Sequence, residues 1–108
     1  MSLKYVVAII RPDVLDALEA RFESLQVPGM TVTKAKGFGK YANFFSKDHL
    51  TEHIKVEVFI EESRADTVIG AIRDVAHSDV PGAGIVAVLP VEQFFHLRTH
   101  SEVVPGKS

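Results

Sequence analysis

The sequence predicts a single α+β domain in which a strand, a helix and a strand follow one another twice. The chain has 108 residues, of which 46% are hydrophobic, and a chain of this length is expected to fold as one domain around one core. Segments with the apolar pattern of strands flank two segments with the three- and four-residue spacing of amphipathic helices. This repeated order is the observation that favours the mixed fold class.

The first strand–helix–strand unit occupies the first third of the chain. Residues 5–10 form a continuous apolar run of strand length, which is typical of a strand covered on both faces. Pro12 suits the first turn of a helix, where its missing N–H is harmless. The apolar face of that helix is formed by Leu15, Leu18, Phe22 and Leu25. Residues 26–29 end the helix, and the β-branched segment 30–36 predicts the second strand.

The second unit starts with an alternating segment. Apolar and charged residues alternate over residues 54–61, which predicts a half-buried strand. Ser63, with Asp66 three residues later, predicts the N-cap of the next helix. The apolar stripe of this helix is formed by Val68, Ile69, Ile72 and Val75. Residues 85–89 predict a short buried strand, and residues 94–98 predict a further short strand.

Two such units make a ferredoxin-like split βαβ sheet, here with a short extra C-terminal strand. Both helices then lie on one face of the sheet, and the other face stays open. Because the sheet has apolar positions on both sides, it needs a partner, and self-association is the simplest one. We assign residues 1–99 to the domain and residues 100–108 to a flexible tail, since the tail has Gly, Pro and Ser and little to pack.

Composition and charge exclude several classes of protein. The formal charge is only −2 and lysines and arginines are scattered, which argues against nucleic-acid binding. The chain contains no cysteine, so it has neither a disulfide framework nor a zinc–thiolate site. No apolar run approaches the roughly 18–20 residues that cross a bilayer, and the first apolar run is too short for a signal peptide. We therefore expect a cytoplasmic protein without direct membrane insertion.

Two glycine motifs are the candidate binding elements. Gly37 and Gly39 flank Phe38 directly after the second predicted strand, and Gly82 and Gly84 precede the strand at residues 85–89. Glycine lets the backbone approach a ligand closely, and successive N–H groups in such a loop can form an anion-binding nest. Either motif by itself is better explained as an ordinary turn next to a strand.

Five segments follow one another along the chain: AIIRP, GMTVTKAKGFGK, IKVEVFI, PGAGIVAVLPVEQ and LRT. In this order and spacing they resemble the PII family of nitrogen and carbon signal-transduction proteins, and the resemblance extends from Lys4 to about Thr99. It implies a homotrimer with a nucleotide cleft between subunits. The matching positions are Ile9, Thr31, Gly37, Phe38, Gly39, Phe59, Gly82, Gly84, Arg98 and Thr99. By this resemblance Thr31 lies near the adenine and Arg98 contacts the phosphates.

Three departures from the family pattern remove positive charge. Ile85 and His53 stand where the family has lysines, and His96 stands where it has the first of two arginines. Each charge-assisted contact is typically worth about 1.5–3 kcal/mol. A triphosphate depends most on such contacts, so we expect an adenine nucleotide with AMP or ADP favoured over ATP.

The segment between the second and third predicted strands, residues 40–53, matches the family's effector arm. It is considerably shorter, and the tyrosine-bearing tip that receives uridylylation is absent. Tyr41 stands where typical members have a glutamine that helps to hold magnesium and 2-oxoglutarate, so we do not expect 2-oxoglutarate sensing. Phe44 and Phe45 either fold back onto the core or dock a partner, which in the family is a transporter, channel or enzyme.

The histidines invite a metal hypothesis that their spacing does not favour. His49 and His53, like His96 and His100, are four residues apart. Two histidines at this spacing can share a metal on a helix, but on an extended strand they are about 13 Å apart. No third ligand is fixed nearby, so no metal is expected.

The leading functional hypothesis is a homotrimeric sensor that is not an enzyme. Nucleotide occupancy would set the conformation of the effector arm, which would regulate a membrane transporter or a metabolic enzyme. No serine or cysteine nucleophile is accompanied by a suitable histidine and acid. Two alternatives stay open: a trimer that senses bicarbonate or a metal ion in connection with carbon or metal transport, and a structural trimer like the copper-tolerance proteins.

Overall fold

A computed structural model describes residues 2–37, 51–79, 82–99 and 101–102. Four strands and two α-helices follow in the order β1 (Leu3–Ile10), α1 (Leu15–Ser24), β2 (Thr31–Gly37), β3 (Thr51–Glu61), α2 (Glu62–Ala76) and β4 (Gly84–Val91). A single 3₁₀ turn, Pro12–Val14, leads into α1, as the proline at this point predicted. Among the described residues, no helix is both long and apolar enough to cross a membrane.

The strands form one antiparallel sheet in the order β2-β3-β1-β4. Val6 of β1 lies opposite Val58 of β3 and Val88 of β4, and Ile10 lies opposite Ile54 and Gly84. This is the strand order of a ferredoxin-like fold, so the predicted fold class is confirmed.

The core lies between one face of the sheet and the two helices. Its strand members alternate along the sequence because successive side chains of a strand point to opposite faces. They are Val6, Ala8 and Ile10 of β1 and Ile54, Val56, Val58 and Ile60 of β3. The helices contribute Leu18, Phe22, Ala65, Val68, Ala71 and Ile72. The predicted apolar stripes of both helices therefore face this core.

The helix ends differ in how their main-chain groups are satisfied. At the end of α1, Gln26 takes a positive φ of 56°, and the Val27 N–H donates to the Phe22 carbonyl oxygen. The guanidinium of Arg64 on α2 donates to the carbonyl oxygens of Leu25 and Gln26. These contacts join the end of α1 to α2.

The predicted N-cap of α2 at Ser63 is wrong. The helix begins at Glu62, and the cap residue is Glu61, the last residue of β3. The Glu62 N–H donates to the carbonyl oxygen of Ser2 over 2.8 Å. Because β3 runs directly into α2, an extended strand residue occupies the cap position and Ser63 falls inside the first turn.

Two further predictions about strands need correction. The strand predicted at residues 94–98 does not form within the described part of the chain; Phe95 makes one isolated bridge with Glu102 instead. The His96 N–H donates to the Ser101 carbonyl oxygen, so the chain reverses direction between these residues, and Leu97–Thr99 lie in a turn. In addition, β3 begins at Thr51, so residues 51–53 belong to the sheet and not to the connecting segment.

Candidate functional site

The face of the sheet that the helices leave uncovered, here called the open face, carries the other alternating residues of each strand. Tyr5, Val7 and Ile9 of β1 are only half-buried in the single chain, although the apolar run predicted a strand covered on both faces. Phe59 and Leu89 flank Tyr5 on β3 and β4, and 42% and 45% of their surfaces are exposed. The open face therefore carries apolar surface around Tyr5, beside the charged residues Lys55 and Glu57 of β3.

At one end of this face, here called the loop end, β1 and β2 stop and β3 and β4 start. Gly84 has a φ of +119°, and a Cβ added to it would overlap the carbonyl oxygen of Ile9. Gly82 has a φ of +92°, with nothing within 4 Å of an added Cβ. Both backbone conformations are ones that glycine tolerates far better than other residues. The main chain at residues 82–84 is thus a glycine turn. At Gly82, no side chain of the described residues covers the backbone on the side where a Cβ would lie.

A buried histidine is attached to this glycine turn. His53 is 4% exposed, and its Nε2 lies 3.0 Å from the carbonyl oxygen of Gly82. A carbonyl oxygen only accepts, so the ring proton of this bond is on Nε2. The family resemblance places His53 at a position of a phosphate-directed cation, whereas in the structure the imidazole is directed to a protein carbonyl.

A cavity of about 500 Å³ adjoins the loop end. Its lining consists of Pro12, Lys34, Ala35, Lys36, Glu52, His53 and Ile54. Lys34 and Lys36 are exposed, and the Lys36 Nζ lies 3.9 Å from a carboxylate oxygen of Glu52. The lining of the cavity therefore combines two lysines and one carboxylate with apolar groups. This cavity was not predicted from the sequence.

The opposite end of the open face, here called the aromatic end, is built from side chains. The ring centroids of Tyr5 and Phe59 are 5.1 Å apart, and those of Phe59 and Phe94 are 4.8 Å apart. The Tyr5 hydroxyl donates to a carboxylate oxygen of Glu57 over 2.6 Å. That hydrogen bond, together with burial and the charge of Glu57, raises the pKa of Tyr5 above 10.0. The ring contact between Phe59 and Phe94 holds the segment that follows β4 against the sheet.

The site residues predicted from the sequence do not all lie together in one chain. Ile9, Gly37, Gly82 and Gly84 lie at the loop end. Thr31 lies six residues back along β2 from Gly37, about 20 Å away. Phe59 lies opposite Tyr5, four residues from Ile9 along β1 and so about 13 Å away. Arg98 and Thr99 are exposed in the turn that follows Phe94, where the Thr99 hydroxyl lies 2.6 Å from that of Ser101. One chain therefore does not gather all of the described residues at one point.

Most of the other predicted loop residues and histidines lie outside the part of the chain that the structure describes. Phe38, Gly39, Tyr41, Phe44 and Phe45 lie outside the described residues. So do His49 and His100, one member of each histidine pair. His77 is exposed, with its Nε2 3.6 Å from a carboxylate oxygen of Asp79. Within the ranges that the structure describes, no three His, Cys, Asp or Glu side chains are grouped to hold a metal ion.

The fold and these two ends define a ferredoxin-like α+β protein with a glycine turn at one end of an uncovered sheet face. The family model described as nitrogen regulatory protein P-II matches residues 3–101. The chain belongs to the nitrogen regulatory protein P-II family, a family of regulatory proteins, and the resemblance drawn from its five segments is confirmed.

Curated relatives cover almost the whole chain. A nitrogen regulatory protein P-II of Azospirillum brasilense is 34% identical over 104 residues, which are 90% of this chain and 93% of the relative. The nitrogen regulatory protein GlnK1 of Methanosarcina mazei is 29% identical over 109 residues, with 93% of each chain covered. The crystal structure of Arabidopsis thaliana PII bound to citrate superposes with a TM-score of 0.79 at 24% identity, covering 94% of this chain and 86% of that one. This last likeness supports the fold.

Proposed function

We propose that this protein is a cytoplasmic P-II-type signal-transduction protein that binds an adenine nucleotide between the subunits of a homotrimer. The bound nucleotide would regulate a membrane transporter or a metabolic enzyme through the segment that connects β2 and β3. The observation that carries the proposal is that Phe59 lies at the aromatic end of the open face, whereas Ile9, Gly82 and Gly84 lie at the loop end.

This separation has a simple explanation if the site is shared. A second subunit whose aromatic end faces the loop end of the first would bring Phe59, Arg98 and Thr99 to the glycine turn. Partly exposed Phe59 and Leu89 supply apolar surface for such an association. A trimer closes this head-to-tail contact into a ring with three equivalent clefts.

The charges near the glycine turn favour a nucleotide with few phosphates. Ile85, directly after Gly84, brings no charge, and the His53 imidazole is directed to the Gly82 carbonyl oxygen. The uncovered main chain at Gly82 could still donate N–H groups to one or two phosphates. Arg98 of the neighbouring subunit would then be the principal cation, so AMP and ADP should bind more tightly than ATP.

Calorimetric titration with AMP, ADP and ATP tests this proposal, with light scattering to give the mass of the assembly. Arg98→Ala should weaken AMP and ADP binding by about ten- to a hundredfold, because a charge-assisted contact is lost. Arg21→Ala is the matched control, since Arg21 lies on α1 and pairs with Asp74 of α2, away from the open face. It should bind nucleotide as the wild type does.

Two results would overturn the proposal. One is a mass of a single subunit at micromolar concentration, which would leave the two half-sites apart. The other is the absence of any heat of binding with all three nucleotides at millimolar concentration. Saturable binding of bicarbonate in that case would favour the bicarbonate-sensing alternative.

A further inference from the structure

We propose that His53 is a positioning residue that holds the Gly82 carbonyl and thereby fixes the glycine turn in the shape that receives the ligand. The inference rests on the proposed nucleotide site for its ligand, but the hydrogen bond itself is a property of the chain without ligand. No charge–phosphate contact is assigned to His53.

The hydrogen bond from His53 connects two parts of the sheet that are not neighbours. His53 lies near the start of β3, opposite Ala35 of β2, whereas Gly82 lies in the turn before β4. In the strand order β2-β3-β1-β4, strands β3 and β4 are separated by β1. The imidazole therefore joins two strand ends that do not pair with each other, across the end of β1.

The glycine turn needs such a support because its own residues supply few side-chain contacts. Gly82 and Gly84 have no side chains, and both adopt positive φ values, 92° and 119°. A glycine loses more conformational freedom on folding than any other residue, so a glycine turn without anchors samples several shapes. The bond from His53 fixes the direction of the Gly82 carbonyl and so of the peptide plane that follows it. The N–H group of that plane, on Ala83, is one that a phosphate could meet.

Burial makes the bond costly to lose. His53 is 4% exposed. When one partner of a buried hydrogen bond is removed, the free-energy cost of desolvating the other partner is no longer compensated. The Gly82 carbonyl oxygen would then turn toward another donor or toward water. Either movement would rotate the Ala83 N–H away from its present direction.

Two substitutions of equal polarity separate positioning from general stability. In His53→Gln the amide nitrogen reaches about as far from the main chain as Nε2 does, whereas in His53→Asn it is one methylene shorter. Hydrogen exchange of the amides of residues 82–84 is measured without nucleotide, with the amides of Val6 and Val58 as internal controls. We expect about five- to tenfold faster exchange at the turn in His53→Asn, wild-type exchange in His53→Gln, and unchanged controls.

Binding of AMP and of adenosine then tests the link to the ligand. His53→Asn should weaken AMP binding about tenfold with adenosine little changed, and His53→Gln should restore AMP binding. Equal loss for both ligands, or no rescue by glutamine, would show that His53 has only a general structural role. If the wild type binds neither ligand, the proposed function fails, while the exchange data still decide whether His53 holds the turn.

A measurement on the wild type covers the case in which His53→Asn does not fold. A long-range ¹H–¹⁵N spectrum of the histidine rings should show the proton of His53 on Nε2, with a through-bond coupling to the Gly82 carbonyl carbon. A proton found only on Nδ1, or turn exchange in His53→Asn equal to that of the wild type, would overturn the proposal.

Discussion

At the loop end of the open face the shape depends on the main chain, whereas at the aromatic end it depends on side chains. Gly82 and Gly84 adopt backbone conformations that disfavour any Cβ, and Gly84 lies against the backbone of Ile9. Tyr5 and Phe59 of the sheet and Phe94 of the segment after β4 form a row of rings. Substitutions should therefore act differently at the two ends: through backbone strain at the first, and through what the surface binds at the second.

The largest effect is expected for Gly84→Ala. The added Cβ would overlap the Ile9 carbonyl oxygen, and alanine is strained at a φ of +119°. The free energy of unfolding should fall by about 4 kcal/mol or more. Chemical denaturation followed by circular dichroism measures this change.

Two other glycines calibrate the result. Gly29→Ala meets nothing within 4 Å and should change the free energy of unfolding by less than about 0.5 kcal/mol. For Gly82→Ala the free energy of unfolding should fall by about 1–2 kcal/mol, which is between the values for the other two variants, since only its positive φ is unfavourable. If Gly84→Ala and Gly29→Ala unfold at the same denaturant concentration, the main-chain explanation of the loop end is wrong.

The next effect compares neighbours on opposite faces of β3. Ile60 is 2% exposed in the core, and Phe59 is 42% exposed on the open face. Ile60→Ala should lower the free energy of unfolding by about 2–5 kcal/mol. Phe59→Ala should lower the free energy of unfolding of the single chain by less than Ile60→Ala does, but it should weaken self-association.

A dilution series followed by light scattering measures that association beside the unfolding experiment. Phe59→Ala should dissociate at a higher protein concentration than the wild type, because apolar surface is removed from the proposed interface. An unchanged dissociation curve would mean that the aromatic end does not take part in assembly.

A smaller, pH-dependent effect is expected for Tyr5→Phe. The variant loses the hydrogen bond to Glu57, and its free energy of unfolding should fall by about 1 kcal/mol at neutral pH. Because the folded chain raises the pKa of Tyr5 above 10.0, this stabilisation is fully present below that value and is lost as the pH rises through the folded pKa.

Unfolding measured for both proteins from neutral to strongly alkaline pH gives the test. The difference between wild type and Tyr5→Phe should stay constant up to about pH 9 and shrink above pH 10. A difference that grows with alkalinity would mean that the Glu57 carboxylate does not favour the protonated phenol.

Periodicity predicted both helices and β3 because each buries one regular face, as Leu18 and Phe22 on α1 and Val56 and Val58 on β3 illustrate. The other three strands were predicted from apolar or β-branched runs. Contacts between distant residues could not be read in the same way. The cap of α2 involves Ser2, sixty residues earlier in the chain, and the partner of His53 is Gly82, 29 residues later. Only the folded sheet brings such pairs together.

In the candidate site, too, local features could be predicted from the sequence and contacts between distant residues could not. The glycine motif at residues 82–84 was visible in the sequence, and the structure explains why Gly84 has no room for a side chain. Residues 94–98 were predicted as a strand because Phe94, Phe95 and Leu97 are typical strand residues. The reversal of the chain depends instead on the hydrogen bond from the His96 N–H to the Ser101 carbonyl oxygen. The pairing of Tyr5 with Glu57 had no local signal at all.

The sheet order also has a consequence for the chain as it is synthesised. The central strand β1 pairs with β3 and β4, and β2 pairs with β3. Until residue 51 and those after it have left the ribosome, no strand of the sheet has met its partner. Leu3 meets Val91 only when β4 has been made. The apolar run of β1 is thus made before the other strands and is among the last to be enclosed, which makes folding a late, cooperative event.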